Sequence, residues 1–252
     1  MSAGSLKFLL ALLDGTRHSF PDGPLARRYN LDGNSHRGRR MSYFPDHLAD
    51  RYRRFKLRHF IPHQDDYEQL ANHGQSPDVM VVSCCDSRVE PEAVFSAMPG
   101  ELFVVRNVAN LVPPYETDGM YHGVSAALEF AVLNLRIKHI VVIGHSGCGG
   151  IRACIDHEAT RQTEAEFIAN WMSMLDGARD RLLASSGGRS IPELRADLER
   201  EGVKVSLANL RTFPCVQTLE GKGRLNLHGA YFDISTGQLT VLNEATDKFV
   251  PL

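Results

Sequence analysis

The chain has 252 residues, 43% hydrophobic and 23% charged, with a formal net charge of -2. That length suits one large core, the composition is that of an ordinary globular domain, and the near-neutral balance gives no global attraction for nucleic acid or a membrane surface. Five cysteines, two of them adjacent, do not form a paired secretory framework, and no apolar run approaches the roughly 20 residues of a membrane-crossing helix.

Residues 1–43 scatter Pro21, Gly23, Pro24, Gly33 and Gly38 among Arg27, Arg28, Arg37, Arg39 and Arg40. The breakers deny any period, so a flexible basic N-terminal arm is expected, solvated rather than bound to a polyanion. The apolar run FLLALL at 8–13 is shorter than a secretory core and has no small-residue cleavage site, which leaves the cytoplasm as the expected location. The folded domain is expected over 44–252. Leu48, Tyr52, Phe55 and His59 recur at helical spacing and make a narrow stripe suited to a partner subunit. A second helix is expected over 65–72, ended by Gly74. Apolar runs at 79–83, 102–106 and 139–143 read as strands, the first and third buried on both faces. A short helix at 91–95 separates the first two. An amphipathic helix over 119–135, with Tyr121, Val124, Ala127, Leu128, Ala131 and Leu135 on one face, carries the chain to the third. Further helices are expected at 164–183, 191–210 and 214–219, then strands at 225–228, 231–234 and 239–242, the last two forming a hairpin around STGQ. Strands alternating with helices predict an α/β fold: a mainly parallel β-sheet core flanked by helices, with an edge hairpin near the C-terminus.

Two strands end in metal-competent residues. The run 79–88, VMVVSCCDSR, delivers Cys84, Cys85, Asp86 and Arg88; the run 140–150, IVVIGHSGCGG, delivers His145 and Cys148. The carboxyl edge of an open α/β sheet is where ligands bind. Two thiols and one imidazole form a zinc set that leaves a fourth position for water. An isolated buried Cys is more often a small hydrophobe; here both groups follow apolar strands that the fold would bring together. Successive strand side chains alternate faces, so only one of Cys84 and Cys85 can face a metal, and periodicity does not choose between them. Asp86 and Arg88 share a parity and can pair, which keeps the carboxylate ionised. The glycines at 147, 149 and 150 resemble an anion cradle at a helix start. Neither dinucleotide nor phosphate-loop spacing is present.

The combination C-x-D-S-R and H-x-x-C-G-G resembles the β-class carbonic anhydrases. The resemblance extends through G-Q-S-P at 74–77, P-G-E-L-F-V-V-R-N-V-A-N at 99–110 and H-G-A-Y-F-D-I-S-T-G at 228–237. It implies a homo-oligomeric enzyme, a dimer or dimer of dimers. The implied reaction is the reversible hydration of carbon dioxide to bicarbonate and a proton at one zinc ion per chain. It implies Cys84, His145 and Cys148 as zinc ligands, with Cys85 left out, and Asp86 and Arg88 as the catalytic pair. It implies Gln75, Phe103, Val108, Phe130 and Gly149 around the substrate, with Phe103 and Phe130 supplied by the neighbouring subunit. Val81 and Gln75 fit the form in which water, not Asp86, is the fourth ligand. Two thiolates donate more charge than imidazoles, so an alkaline working range is expected. The nearest rival is a related hydrolase of carbon disulfide or carbonyl sulfide.

Overall fold

The computed structural model describes residues 44–118, 121–156 and 166–252. The arm expected over 1–43 lies outside the described residues. The chain divides after Pro62 into two units. In the first, α1 (Asp46–Phe55) follows Pro45 as its N-cap, and none of its residues is buried. It runs on into a π-helical turn, Lys56–Phe60. Tyr52 stacks on Phe55, and Phe55 packs against His59, so the three- and four-residue spacing does form one stripe.

The second unit begins with α2 (Gln64–His73), ended at Gly74 with φ of 80°. A six-stranded sheet in the order β2-β1-β3-β4-β5-β6 organises the described residues. Its strands are β1 (Val79–Cys84), β2 (Leu102–Asn107), β3 (His139–His145), β4 (Asn226–Phe232), β5 (Leu239–Asn243) and β6 (Lys248–Pro251). β2, β1, β3 and β4 are parallel, while β5 and β6 join antiparallel. The expected mainly parallel sheet with an antiparallel C-terminal edge is what forms.

Around it lie α3 (Pro91–Val94), α4 (Gly123–Glu129), α5 (Gly149–Ile155), α6 (Glu166–Met172), α7 (Asp176–Ala184), α8 (Ile191–Leu210) and α9 (Pro214–Glu220). α8 opens on a capping box: the Ser190 amide donates to the Glu193 carboxylate, and the Ser190 side chain accepts from the third helical amide.

Several expected elements change on folding. The long helix over 119–135 is α4 followed by a π-helical turn, Phe130–Leu135, and Tyr121 precedes it, 91% exposed instead of inward. The helix over 164–183 is α6, a 3-10 turn (Ser173–Leu175) and α7. The separate strands at 225–228 and 231–234 are one strand, β4. Gly229 is needed inside it because α8 passes so close. A Cβ there would lie 3.0 Å from Val203 and 3.1 Å from Leu207. β6 was not foreseen. It is short, lies at the sheet edge and contains Pro251, which an edge strand tolerates.

Met80 and Val82 of β1 and Ile140 and Val142 of β3 face one side, against Leu128, Val203, Leu207 and Leu210. Val81, Ile143 and Ala230 face the other. Burying each such aliphatic side chain contributes roughly 1.5–3 kcal/mol. A third buried cluster, including Cys84, Ala109, Leu111, Cys148, Ile151 and Leu198, gathers the strand exits. From β1 the chain goes first to β2 on one side and then to β3 on the other. The order therefore reverses between β1 and β3, which opens a crevice at their carboxyl ends.

Candidate active site

That crevice holds Cys84, His145 and Cys148, whose ligand atoms all lie within 4.8 Å of one another. Cys84 ends β1 with its sulfur 3.9 Å from that of Cys148. Cys85, one residue on, is exposed, and its amide instead donates to the Asn107 carbonyl at 2.8 Å. The choice that periodicity left open thus falls to Cys84. His145 ends β3 and is 1% exposed. Its Nδ1–H donates to the Ser146 carbonyl at 3.0 Å, which leaves Nε2 as the free lone pair. Nε2 is buried without a hydrogen-bond partner. A buried, unpartnered imidazole nitrogen facing two sulfurs is costly unless something accepts its lone pair. A soft divalent ion does so, and the donor set is that of zinc.

Of the two sulfurs, Cys84 is the one held toward the thiolate. The Cys148 thiol, hydrogen-bonding to the Cys84 sulfur, holds Cys84 below the usual thiol range against the opposing effect of burial; the amides of Asp86 and Ala109 act in the same direction. Cys148 is pushed up by its Cys84 neighbour and by burial, eased by the amides of Ile151 and Gly150. Those two amides belong to the helix start expected to cradle an anion, and they serve a ligand sulfur.

Asp86 and Arg88 pair as their parity predicts. Arg88 Nε donates to Asp86 Oδ1 at 2.9 Å, its NH2 group to Oδ2 at 2.7 Å, and its backbone amide to Oδ1 at 3.0 Å. This fork holds the Asp86 carboxyl well below the usual carboxylate range, against a small effect of burial. The same NH2 group donates to the Gly147 carbonyl at 2.9 Å and so ties the exit of β1 to that of β3. Gly147 reaches that position with φ of 68°, in the left-handed region.

Val108 and Gly149 lie in this neighbourhood. Val108 follows β2 and neighbours Ala109, whose amide reaches Cys84. A Cβ on Gly149 would meet nothing within 4 Å, so its backbone faces open space. Gln75, Phe103 and Phe130 are elsewhere. Phe103 pairs in register with Met80, four residues before Cys84, or about 13 Å back along the strand. Phe130 packs on Phe103 with ring centres 5.9 Å apart. Gln75 follows α2, whose Leu70 packs on Gly100 just ahead of β2, at the amino end of the sheet. One chain does not bring these three to its own metal ligands.

Three residues bearing on the site were missed from the sequence. Arg106, the one charge in β2, donates to the carbonyls of Cys84 (2.9 Å), Asp86 (2.7 Å) and Val89 (2.8 Å), and so fixes the loop that carries Asp86 and Arg88. Trp171 donates its indole N–H to the Val108 carbonyl at 2.8 Å. Glu199, on α8, accepts from the Cys148 amide at 3.0 Å. A charge in an otherwise apolar strand, and an acid on the inward face of a helix, were the available signals.

Comparison with known proteins agrees with this geometry. The family model described as carbonic anhydrase matches residues 79–239. Beta carbonic anhydrase 6, mitochondrial, from Arabidopsis thaliana is 35% identical over 81% of this chain and 70% of its own length. The solved structure of the beta-carbonic anhydrase CcaA covers 82% of this chain and 91% of its own, with 30% identity and a TM-score of 0.76. A structure from a study of two tetrameric beta-carbonic anhydrases of Sordaria macrospora covers 79% of this chain and 93% of its own, with 27% identity and a TM-score of 0.64. The chain belongs to the β-carbonic anhydrase family, lyases that hydrate carbon dioxide in a zinc-dependent reaction.

Proposed function

We propose that Cys84, His145 and Cys148 hold one zinc ion per chain, and that the chain uses it to interconvert carbon dioxide and bicarbonate. The observation that carries this reading is the buried, unpartnered Nε2 of His145 directed at two cysteine sulfurs. Zinc in such a site supplies a Lewis acid and acidifies water at its open position. The remaining work belongs to the chain. Asp86, kept ionised by Arg88, accepts a hydrogen bond from the attacking water and orients it. Because both Asp86 oxygens are held by Arg88, the pairing supports the form with water as fourth ligand. The amides of Asp86, Ala109, Gly150 and Ile151 withdraw charge from the two sulfurs and temper the alkaline working range expected of a thiolate-rich site.

The substrate wall is shared between two copies. Val108 and the Gly149 backbone line one chain's site, while Gln75, Phe103 and Phe130 of a second copy face it, Gln75 donating its amide to a substrate oxygen. Support comes from the position of these three at the opposite end of the sheet. An apolar groove of about 630 Å³, lined by Val108, Pro113, Val124, Phe167 and Trp171 among others, adds surface for a second copy. The Sordaria macrospora relatives are described as tetrameric. No helix among the described residues is long and apolar enough to cross a membrane. Five free cysteines support a reducing location, the cytoplasm. Residues 1–43 are proposed as a dispensable basic arm, and 44–252 as the enzyme.

The test is stopped-flow carbon dioxide hydration on protein whose zinc has been counted. One zinc per chain and turnover that disappears with the metal are expected. Bound zinc without hydration, but with hydrolysis of carbon disulfide, would move the assignment to the sulfur-substrate hydrolases.

A further inference from the structure

Glu199 sits in the ninth position of α8, on its inward face, and is 6% exposed. A carboxylate in such a place is costly unless its oxygens are satisfied. Among the described residues it forms no salt bridge. Its Oε1 accepts the Cys148 amide at 3.0 Å, and its Oε2 accepts the Tyr231 hydroxyl at 2.7 Å. Burial, with the Glu199 contact, pushes the Tyr231 phenol above its usual range, so the phenol remains a donor. The Arg200 guanidinium lies 4.2 Å from the Tyr231 ring centre and holds the ring by its face.

The backbone is shaped to allow this. Gly144 of β3 pairs in register with Tyr231 of β4. A Cβ on Gly144 would lie 2.8 Å from Val203 and 3.3 Å from the Glu199 carbonyl. α8 therefore rests on β3 at its closest approach one residue before His145, and the Glu199 side chain reaches past that strand to Cys148. Leu194, Leu198, Val203 and Leu207, on the same face of α8, are apolar. An aliphatic residue at 199 would continue their pattern and bury no carboxylate, but it would leave the Cys148 amide and the Tyr231 hydroxyl without this acceptor.

We infer that Glu199 is a positioning residue for the metal centre: bridging the Cys148 amide and the Tyr231 hydroxyl, it holds the Cys148 sulfur where the ion needs it. The Cys148 amide is the N-cap amide of α5 and has the Glu199 carboxylate as its acceptor. Without that acceptor the cap residue can turn about its own backbone and carry the sulfur away from Cys84. Glu199 thus acts through Cys148 and touches neither metal nor substrate. The inference rests on the zinc reading proposed above.

Zinc affinity, measured by competition with a chromogenic chelator, and the thiolate-to-metal absorption of the cobalt(II)-substituted protein are compared in wild type, Glu199→Leu, Glu199→Gln and Tyr231→Phe. Glu199→Leu is expected to weaken zinc binding by roughly 10- to 100-fold and to shift the cobalt band. Glu199→Gln keeps an acceptor for the Cys148 amide and is expected to recover most of the loss. Tyr231→Phe is expected to fall between wild type and Leu. Wild-type affinity with an unshifted band in Glu199→Leu overturns the inference, as does a loss that Gln does not relieve. Should the Leu variant fail to fold, Tyr231→Phe decides: weaker zinc binding with a shifted band supports the inference, and no change in either overturns it. A wild-type protein that binds no zinc would instead remove the metal reading itself, so the two failures are distinct.

Discussion

Asp86 and Arg88 form a pair that strand parity and the observed geometry both bring together. Each oxygen of Asp86 accepts from the Arg88 guanidinium, and neither residue is among the three clustered metal-ligand candidates. Asp86→Asn should therefore retain zinc at the wild-type ratio while hydration falls by roughly 10²–10⁴-fold, the usual loss for a positioned proton acceptor. Retained turnover with full zinc would remove Asp86 from the reaction. Arg88 determines over what pH range Asp86 is available. The folded carboxyl is held below its ordinary value chiefly by the Arg88 hydrogen bonds. The ionised form therefore persists as pH falls through the ordinary carboxylate range and is lost only below it. Arg88→Ala should let the Asp86 value rise toward an unpaired carboxylate, moving the acid limb of kcat/KM to higher pH. An acid limb that stays in place would show that another group governs it.

At the scale of elements, the site depends on how closely the start of α5 lies against the turn after β2. A Cβ on Gly150 would lie 2.8 Å from Val108 Cγ1, 3.3 Å from Ala109 Cβ and 3.3 Å from Met172 Sδ, whereas one on Gly149 would meet nothing within 4 Å. Gly150→Ala should destabilise the protein by about 1–3 kcal/mol, the usual cost of forcing volume into a packed contact. It should also weaken zinc binding, since the Gly150 amide serves the Cys148 sulfur. Gly149→Ala should leave thermal stability close to wild type. Thermal unfolding of the two variants, with zinc counted in each, checks the contrast. The sequence alone could not rank these neighbours, because both read as helix-opening glycines. What separates them is which backbone β2 brings alongside. Strand parity also failed to predict how His145 meets Cys84. The β1–β3 register runs Ser83 to Ile143, so Cys84 aligns with Gly144, and His145 lies one residue beyond with opposite parity. The two meet because the β1–β3 pairing ends at Ser83 and Ile143, before either strand's last residue. The two strands expected at 225–228 and 231–234 merge because Gly229 between them gives room to the helix packed on it. By contrast, the apolar strands β1 to β3 and the helix α8 were legible, because their signals are local.

At the scale of the whole molecule, one chain places the two groups of proposed site residues at opposite ends of its sheet. Cys84, Asp86, His145 and Cys148 lie at the carboxyl end of the sheet. Phe103, aligned with Met80, and its ring partner Phe130 lie toward the other end, and Gln75 lies near the amino end. Moving either group across the sheet would break the register of β1 and β2, so no small rearrangement joins them within one chain. In the shared site proposed above, a second copy joins them by supplying its Gln75 end to the first copy's Cys84, His145 and Cys148. This makes a sharp prediction for mixed assemblies. Asp86→Asn and Gln75→Ala chains should each have low activity alone. When the two are co-refolded, each mixed pair contains one site with both defects and one site with neither, because the two residues of any given site come from different chains. Activity should therefore rise above that of either parent, and only after subunits exchange. Were Gln75 to serve its own chain's metal, every site in the mixture would carry one defect, and mixing would restore nothing.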